Sequence, residues 1–192
     1  MCIVGKRFEG MRRPFLMGDR LYLRQFDEAD IGEDYLGWLN DHEVTKYLES
    51  GKFPSNLESL RTYLDHFRNS SSDLIFAIVD RESDLHIGNV TLNRISWINR
   101  TADTGLMIGR KEFWGKGYAF DVWSLLIDYA FLRLGLRKII AGAAADNVAS
   151  IVTLEKLGFK IEGRFRQEFL VAGEYKDVVR MGLFREEFCK YR

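Results

Sequence analysis

The sequence predicts a mixed α/β fold in which helices flank a largely antiparallel sheet. Short apolar runs separated by polar turns indicate strands, and amphipathic stretches with helical spacing stand among them rather than in one block. The 192 residues contain no internal repeat and no second-domain boundary. Residues 1–18 show little periodicity and are predicted to form an N-terminal extension, whereas residues 19–192 are predicted to form a single domain.

The first half of that domain is predicted to contain one strand, two helices and a meander. An apolar run at 21–24 predicts the strand, and Asp27 offers an N-cap for a helix with apolar residues at steps of three and four. Ser55 is the predicted cap of a second amphipathic helix. Three apolar runs, bounded by polar turns, then predict strands of the meander. Their ranges are 74–79, 87–95 and 103–109.

The second half opens with the strongest helix signal in the chain. Apolar residues repeat at i, i+3, i+4 and i+7 from Ala119 to Leu134, and Gly135 stands where a C-cap glycine belongs. The remaining predicted elements are a strand at 138–143, a helix capped by Asp146 or Asn147, and two strands at 160–171 and 175–184.

Composition excludes several classes of function. Lys and Arg number 28, as do Asp and Glu, and this zero net charge argues against bulk attraction to nucleic acid or an anionic membrane. Cys2 and Cys189 form neither a disulfide framework nor a metal-spacing motif, and the three histidines are scattered, so no metal site is predicted. No segment approaches the ~18–20 apolar residues of a membrane span, and no export signal precedes the domain. The sequence therefore predicts a cytoplasmic protein without nucleic-acid or membrane partners.

The stretch from Met107 to Ala119 carries chemical information. A strand ends there, a loop with Gly115 and Gly117 follows, and the long helix begins. Glycines let the backbone adopt positive φ and approach a ligand closely. The first N–H groups of a helix lack partners and carry partial positive charge, which phosphate oxygens match, and Lys116 adds a full charge. A pyrophosphate ligand is predicted, although two glycines alone are equally typical of a tight turn. The loop matches neither a P-loop nor the dinucleotide-binding fingerprint.

A second cluster decides between those alternatives. Asn147-Val148-Ala149-Ser150 precedes Leu154-Glu155-Lys156-Leu157-Gly158-Phe159, downstream of Trp-Gly-Lys-Gly-Tyr-Ala. In this order and spacing the motifs resemble the GNAT family of acetyl-CoA-dependent N-acetyltransferases, from about Leu21 to Phe184. The resemblance is closest to the branch of ribosomal-protein N-terminal, polyamine and bacterial amino-sugar acetyltransferases, which the run 173–181 also matches.

The resemblance implies a specific site for acetyl-CoA. The strand that ends at Gly109 would splay from the strand 138–143, and acetyl-CoA would lie in that V. The pantetheine amides would bond to the first strand's backbone, the pyrophosphate would rest on the amides of 114–119, and Ser150 would sit near the sulfur. The cofactor-binding residues so implied are Met107, Ile108, Gly109, Trp114, Gly115, Lys116, Gly117, Tyr118, Ala119, Asn147 and Ser150.

The resemblance also implies catalytic roles. Asp103, beside the acetyl site, is the predicted proton acceptor and Glu168 is the second candidate, although either can equally be an ion-paired surface group. Many relatives protonate the leaving thiolate with a tyrosine at the position of Leu154. Here Ser150, Tyr118 or a water must serve, or the thiolate leaves unassisted, as a thiol pKa near ~8.5 allows. We expect direct attack in a ternary complex, because both cysteines lie outside these motifs.

The acceptor is the least defined part of the resemblance. In the family it enters between the first two helices and the last strands, where Trp38, His42, Tyr47 and Tyr175 are predicted to contact it. The run 35–41 resembles amino-sugar acetyltransferases and favours a small-molecule amine such as an amino sugar. N-terminal acetylation of a ribosomal or other protein, and a non-catalytic acyl-CoA-binding module, remain alternatives. The branch also implies a homodimer.

Overall fold

The computed structural model describes residues 13–188, so Cys2 and Cys189 lie outside the described residues. Within this range the strands are β1 (Leu16–Met17), β2 (Leu21–Gln25), β3 (Leu74–Asp80), β4 (His86–Ser96), β5 (Thr101–Ile108), β6 (Lys138–Ala144), β7 (Lys160–Val171) and β8 (Glu174–Phe184). The α-helices of the same range are α1 (Glu33–Asn40), α2 (Leu57–Asn69), α3 (Tyr118–Leu132) and α4 (Val148–Lys156).

These elements form one mixed sheet, which confirms the predicted fold class. The strand order is β1-β2-β3-β4-β5-β6-β8-β7, and every neighbouring pair is antiparallel except β5 and β6. β5 and β6 pair only from Thr101 opposite Lys138 to Asp103 opposite Ile140. Beyond these residues the two strands diverge, so the predicted splay between the central strands is present and its apex lies at Asp103.

The predicted N-terminal extension lies partly outside the described residues. Residues 13–18 contain β1, whose register places Leu16 opposite Leu23 and Met17 opposite Tyr22 of β2. Leu16 is buried in the main core. A strand therefore stands immediately before residue 19, and the division of the chain into an extension and a domain stays a prediction.

Two helix starts differ from the predictions. Asp27 caps a single 3₁₀ turn, and α1 begins only after the extended backbone of Gly32. Asn56, not Ser55, caps α2: its Oδ1 accepts the N–H of Ser59 at 2.8 Å, and the Ser59 hydroxyl oxygen accepts the N–H of Asn56 at 3.0 Å. This reciprocal capping box satisfies two amides at once, which explains why the helix starts one residue later than predicted.

The sheet separates two packed sides of the molecule. On one side α3 and α4 cover the larger core, which includes Leu126 and Leu154. On the other side α1 and α2 pack on a smaller cluster that includes Met107. Because side chains alternate along a strand, Asp103 and Gly105 share the α1–α2 side of β5 with Met107. The gap between β5 and β6 therefore connects the two sides. Among the described residues, no helix is long and apolar enough to cross a membrane.

Candidate active site

A cleft of about 1710 Å³ lies where β5 and β6 diverge. It begins at the loop before α3, follows the unpaired edge of β5, and reaches Asp103 and Arg180 at the apex of the V. The predicted cofactor residues that line the cleft are Met107, Ile108, Trp114, Gly115, Gly117, Tyr118, Ala119, Asn147 and Ser150. Gly109 and Lys116 are not among its lining residues.

The loop before α3 forms a cradle of backbone amides. Gly115 and Gly117 adopt φ values of 70° and 82°, a left-handed conformation that favours glycine. The N–H groups of residues 115–119 have no hydrogen-bond partner within residues 13–188, whereas those of Phe120 and Asp121 bond to the Gly117 carbonyl. No side chain caps the helix. Several amide donors therefore converge at a positive helix end, a donor set that fits the diphosphate of a CoA thioester.

Arg20 is a component of this cradle that sequence reasoning missed. Its Nη1 donates to the Lys116 carbonyl at 3.0 Å, and its Nε donates to Asp121 Oδ2 at 2.8 Å. The guanidinium also lies 4.7 Å from the ring centroid of Tyr118. Asp121 places a negative charge in the first turn of α3, and Arg20 offsets that charge beside the amides. Because about a hundred residues separate the partners, the sequence holds no local signal for this contact.

The unpaired edge of β5 offers backbone groups to the cleft at alternate residues. The N–H of Gly109 donates to the Ile87 carbonyl at 2.9 Å, so the backbone of Gly109 faces β4. Because backbone N–H and C=O groups alternate in direction along an antiparallel pair, those of Met107 also face β4, whereas those of Leu106 and Ile108 face the gap. The Ile108 carbonyl accepts the indole N–H of Trp114 at 2.8 Å. The backbones that can bind an extended ligand here are therefore those of Ile108 and of Leu106, which the prediction omitted.

The opposite wall of the cleft begins at α4. Asn147 caps this helix by accepting the N–H of Ser150 through Oδ1 at 3.3 Å, which leaves the Asn147 amide N–H groups for a ligand. The hydroxyl of Ser150 has no partner among the residues that the structure describes, and it can donate into the cleft. Leu154 also lines the cleft, is 1% exposed, and has no group that can donate a proton.

The hydroxyl of Tyr118 is already engaged in a hydrogen bond at the phosphate end of the cleft. It donates to Asp80 Oδ1 at 2.6 Å. Burial and this bond raise the pKa of Tyr118 to about 12, which makes it a weaker acid than an ordinary phenol. Its helix follows the end of β5 at Ile108, and five residues of strand, roughly 17 Å, separate Ile108 from Asp103. Tyr118 is therefore poorly placed to protonate a thiolate near the apex.

The apex of the V holds a cluster of charged side chains on the α1–α2 side. Asp103 is 15% exposed and accepts hydrogen bonds from Arg94 Nη2 and, at 3.2 Å, from Arg180 Nη1. Glu168, the second predicted proton acceptor, lines the cleft as an exposed side chain on β7. The structure thus brings both predicted carboxylates to one cavity and adds two arginines that the prediction did not include.

The predicted acceptor residues divide between the cleft, the core and the surface. Tyr47 lines the cleft, and its hydroxyl donates to the Asp146 carbonyl at 3.3 Å. Trp38 is 9% exposed and packs against Gly109, where an added Cβ would lie 2.0 Å from the indole. His42 and Tyr175 are exposed and do not line the cleft.

A side pocket of about 260 Å³ adjoins the cleft between α1, α2 and the sheet. It shares Tyr63, Thr91 and Leu106 with the cleft, so a molecule at the apex has room to extend toward α2. The sequence marked Tyr63 only by its place on an amphipathic helix. Within the described residues, no group of three or more His, Cys, Asp or Glu side chains could hold a metal ion.

Several known proteins similar to this chain are named as N-acetyltransferases. A family model described as an acetyltransferase (GNAT) domain matches residues 20–160. An uncharacterised N-acetyltransferase of Bacillus licheniformis is 33% identical over 179 residues, which are 91% of this chain and 98% of that protein. The spermidine N(1)-acetyltransferase of Vibrio cholerae is 30% identical over 173 residues, covering 90% of this chain and 97% of the relative.

A solved structure extends the likeness to the fold and the donor. The crystal structure of spermidine N-acetyltransferase from Vibrio cholerae in complex with CoA and spermine has a TM-score of 0.80 and 27% sequence identity. The alignment covers 88% of this chain and 97% of that one. These matches confirm the predicted family and the predicted acetyl-CoA donor. The chain belongs to the GNAT family and is an acetyl-CoA-dependent N-acetyltransferase.

Proposed function

We propose that the protein transfers the acetyl group of acetyl-CoA to the primary amine of a small molecule, by direct attack in a ternary complex. The observation that supports this most strongly is the gap between β5 and β6. It joins an amide cradle at one end of a single cleft to a charged cluster on the opposite side of the sheet. Donor and acceptor can therefore approach the apex from different sides and be bound together.

The reaction requires a neutral amine at the apex. An alkylamine with a pKa near ~10.4 is almost entirely protonated at neutral pH, so it must lose a proton before it can attack. Asp103 is our proposed proton acceptor, directly or through a water, because its carboxylate lies at the last paired residues of β5 and β6. Glu168, at the rim, is the alternative.

The bond changes balance without a further reactant. The amine nitrogen forms a bond to the acetyl carbon, the bond between that carbon and the CoA sulfur breaks, and one amine proton passes to the carboxylate. The sulfur leaves as a thiolate and takes a proton from the Ser150 hydroxyl or from water, and the second proton that the nitrogen loses as the amide forms restores that hydroxyl or water. The N–H of Ile108, directed into the gap, is placed to donate to the carbonyl oxygen as it gains charge.

The segment between α1 and α2 supports a small acceptor rather than a folded protein. It crosses the cleft: the Tyr47 hydroxyl donates to the Asp146 carbonyl before α4, and Lys52 donates to the Leu170 carbonyl near the β7–β8 turn. This covered cleft suits a compact amine such as an amino sugar or a polyamine. The relatives from Vibrio cholerae are named for spermidine, which is a small amine of the second kind.

A panel of acceptors tests the proposal. Amino sugars, spermidine and peptides that begin with Ala or Ser are incubated with acetyl-CoA, and free CoA is measured by its thiol. We expect turnover with at least one small amine and intersecting double-reciprocal plots, which indicate a ternary complex. Turnover with peptides alone would favour N-terminal acetylation of a protein. Calorimetric binding of acetyl-CoA without acetylation of any amine between pH 6 and 9 would favour a non-catalytic module.

The remaining expectations concern where and with what the protein acts. The cytoplasmic location, the homodimer and the lack of a nucleic-acid partner stay predictions of the sequence. Size-exclusion chromatography with light scattering measures the oligomeric state directly.

A further inference from the structure

We propose that the amine acceptor carries an anionic group, a carboxylate or a phosphate, and that Arg180 binds this group beside the reacting amine. The inference rests on the proposed function and names the class of its substrate. It is carried by the position, the unused hydrogen-bond donors and the charge balance of Arg180.

The side chain of Arg180 crosses the apex of the V. Arg180 belongs to β8, and its side chain passes over Gly142 of β6, where an added Cβ would lie 3.1 Å from Nη1. It ends at Asp103 of β5, where Nη1 donates to Oδ2. β5 and β6 cease to pair beyond Asp103 and Ile140, so the guanidinium lies where the cleft opens toward the α1–α2 side. This is the side from which we expect the acceptor to enter.

The guanidinium has donors left for a ligand. Only Nη1 has a hydrogen-bond partner among the described residues, so Nε and Nη2 are available. These two groups form one edge of the planar fork, which matches the paired oxygens of a carboxylate or phosphate. The side chain is 31% exposed and lines the cleft, so it is reachable and partly shielded from water. Partial shielding strengthens an ionic contact.

The charge balance at the apex favours an anion. One carboxylate, that of Asp103, serves two guanidinium groups, those of Arg94 and Arg180, which leaves one positive charge in excess. Asp73, the next carboxylate along this wall, accepts bonds from the hydroxyls of Ser70 and Ser72, and its Oδ2 lies 3.6 Å from Nε2 of His66.

The other carboxylates on this side are less able to offset the excess charge. Asp73 also accepts the backbone N–H of Arg94 at 2.8 Å. Glu43, Glu49 and Glu168 line the cleft as exposed side chains, where water weakens their fields, and Glu43 is paired with Lys111. An anionic group on the acceptor would neutralise the excess positive charge at the apex, whereas a polycation would be repelled by the two arginines there.

Matched pairs of acceptors test this inference. Each pair shares one amine and differs in one anionic group: glucosamine 6-phosphate with glucosamine, and an amino acid with its amide. With the wild-type protein we expect kcat/KM to be at least about tenfold higher for the anionic member of one pair. The phosphate pair and the carboxylate pair distinguish the two sources of the charge.

Two substitutions assign the preference to Arg180. Arg180→Gln should reduce the ratio between the paired acceptors to about one, mainly through a higher KM for the anionic member, and Arg180→Lys should keep part of it. Arg94→Gln is the matched control, because it also removes one guanidinium from Asp103 but leaves the Arg180 fork in place. The ratio should then change less than about threefold.

The outcomes separate this inference from the proposed function. Equal or better turnover of the neutral members, or turnover of spermidine alone, would overturn the anionic acceptor while leaving the acetyltransferase intact. An unchanged ratio in Arg180→Gln would overturn the role of Arg180. If no amine is acetylated, the proposed function and the inference are both overturned.

Discussion

The two halves of the cleft are built from different parts of the chain. The donor half uses backbone amides of one continuous loop and helix start, from Gly115 to Ala119, with a single distant side chain, Arg20, beside them. The acceptor half uses side chains of β4, β5 and β8, and Asp103 and Arg180 are 77 residues apart. Backbone amides recognise a shape and a charge that any CoA thioester presents. Side chains can differ between related enzymes without changing the fold, so the acceptor half is where specificity can vary.

This difference predicts opposite responses to substitution. The donor half should be sensitive to any added side chain at its glycines and tolerant of changes in neighbouring side chains other than Arg20. The acceptor half should respond to the loss of single charged groups. Four substitutions test this contrast.

The largest effect should follow Gly117→Val. A β-branched side chain at φ 82° strains the turn, and its Cβ would lie 3.4 Å from Arg20 Nη2 beside the amides, so we expect it to crowd a bound diphosphate. Loss of two charge-assisted bonds, at ~2 kcal/mol each, corresponds to about 10³-fold weaker binding of acetyl-CoA, measured by calorimetry.

Gly135→Val is the matched control for that strain. Gly135 also has a positive φ, 66°, and open space around its Cβ position, but it follows α3 at the end remote from the cradle. Both variants should lose roughly 1–3 kcal/mol of stability in thermal or urea unfolding, while only Gly117→Val loses acetyl-CoA affinity. Equal affinity losses in the two variants would show that strain, not the cradle, explains the result.

The second largest effect should come from the acceptor half. Asp103→Asn keeps the shape of the side chain and removes the proton acceptor, so kcat/KM at neutral pH should fall about 100-fold. Affinity for acetyl-CoA should stay within about twofold, because Asp103 does not touch the cradle. Glu168→Gln is the comparison, with an expected fall below about threefold. The reverse order of these two losses would transfer the role of base to Glu168.

The same contrast explains which features the sequence could predict. The cradle was predictable because its glycines and its helix start are consecutive, and because the apolar residues of the helix repeat with a clear helical period. The strands from β2 to β8 were predictable from short apolar runs, and their ends differed from the structure by no more than one or two residues, whereas β1 was not predicted.

The arginines at the apex had no comparable signal. Arg180 reaches Asp103 only because β8 inserts between β6 and β7, and Arg94 does so from a left-handed position at φ 52° where the β4–β5 register shifts. Strand order and register of this kind depend on contacts distant in sequence. Trp38 illustrates the converse: it was predicted to contact the acceptor, yet its place on the apolar face of α1 put it in the core.

A moderate effect should follow substitution of Arg20, the side chain that contacts the donor half although it is distant in sequence. Arg20→Gln leaves Asp121 without its cation beside the diphosphate site, and we expect about tenfold weaker binding of acetyl-CoA. If Arg20 acts by offsetting Asp121, the double variant Arg20→Gln/Asp121→Asn should recover most of the affinity. Additive losses in this double-mutant cycle would indicate instead that Arg20 contacts the ligand directly.

The smallest effect should follow Ser150→Ala, and its pH dependence carries the information. The substitution keeps the backbone N–H that Asn147 caps, so it removes only the hydroxyl facing the cleft. A thiolate whose conjugate acid has a pKa near ~8.5 needs a proton at pH 7 but is stable as an anion above that pKa. We therefore expect kcat to fall about threefold near pH 7 and to approach the wild-type value near pH 9, in steady-state assays with a saturating acceptor. A loss that is constant across this range would mean that the hydroxyl helps to hold the donor rather than to protonate it, and the donor half would then rely on one more side chain than its backbone design suggests.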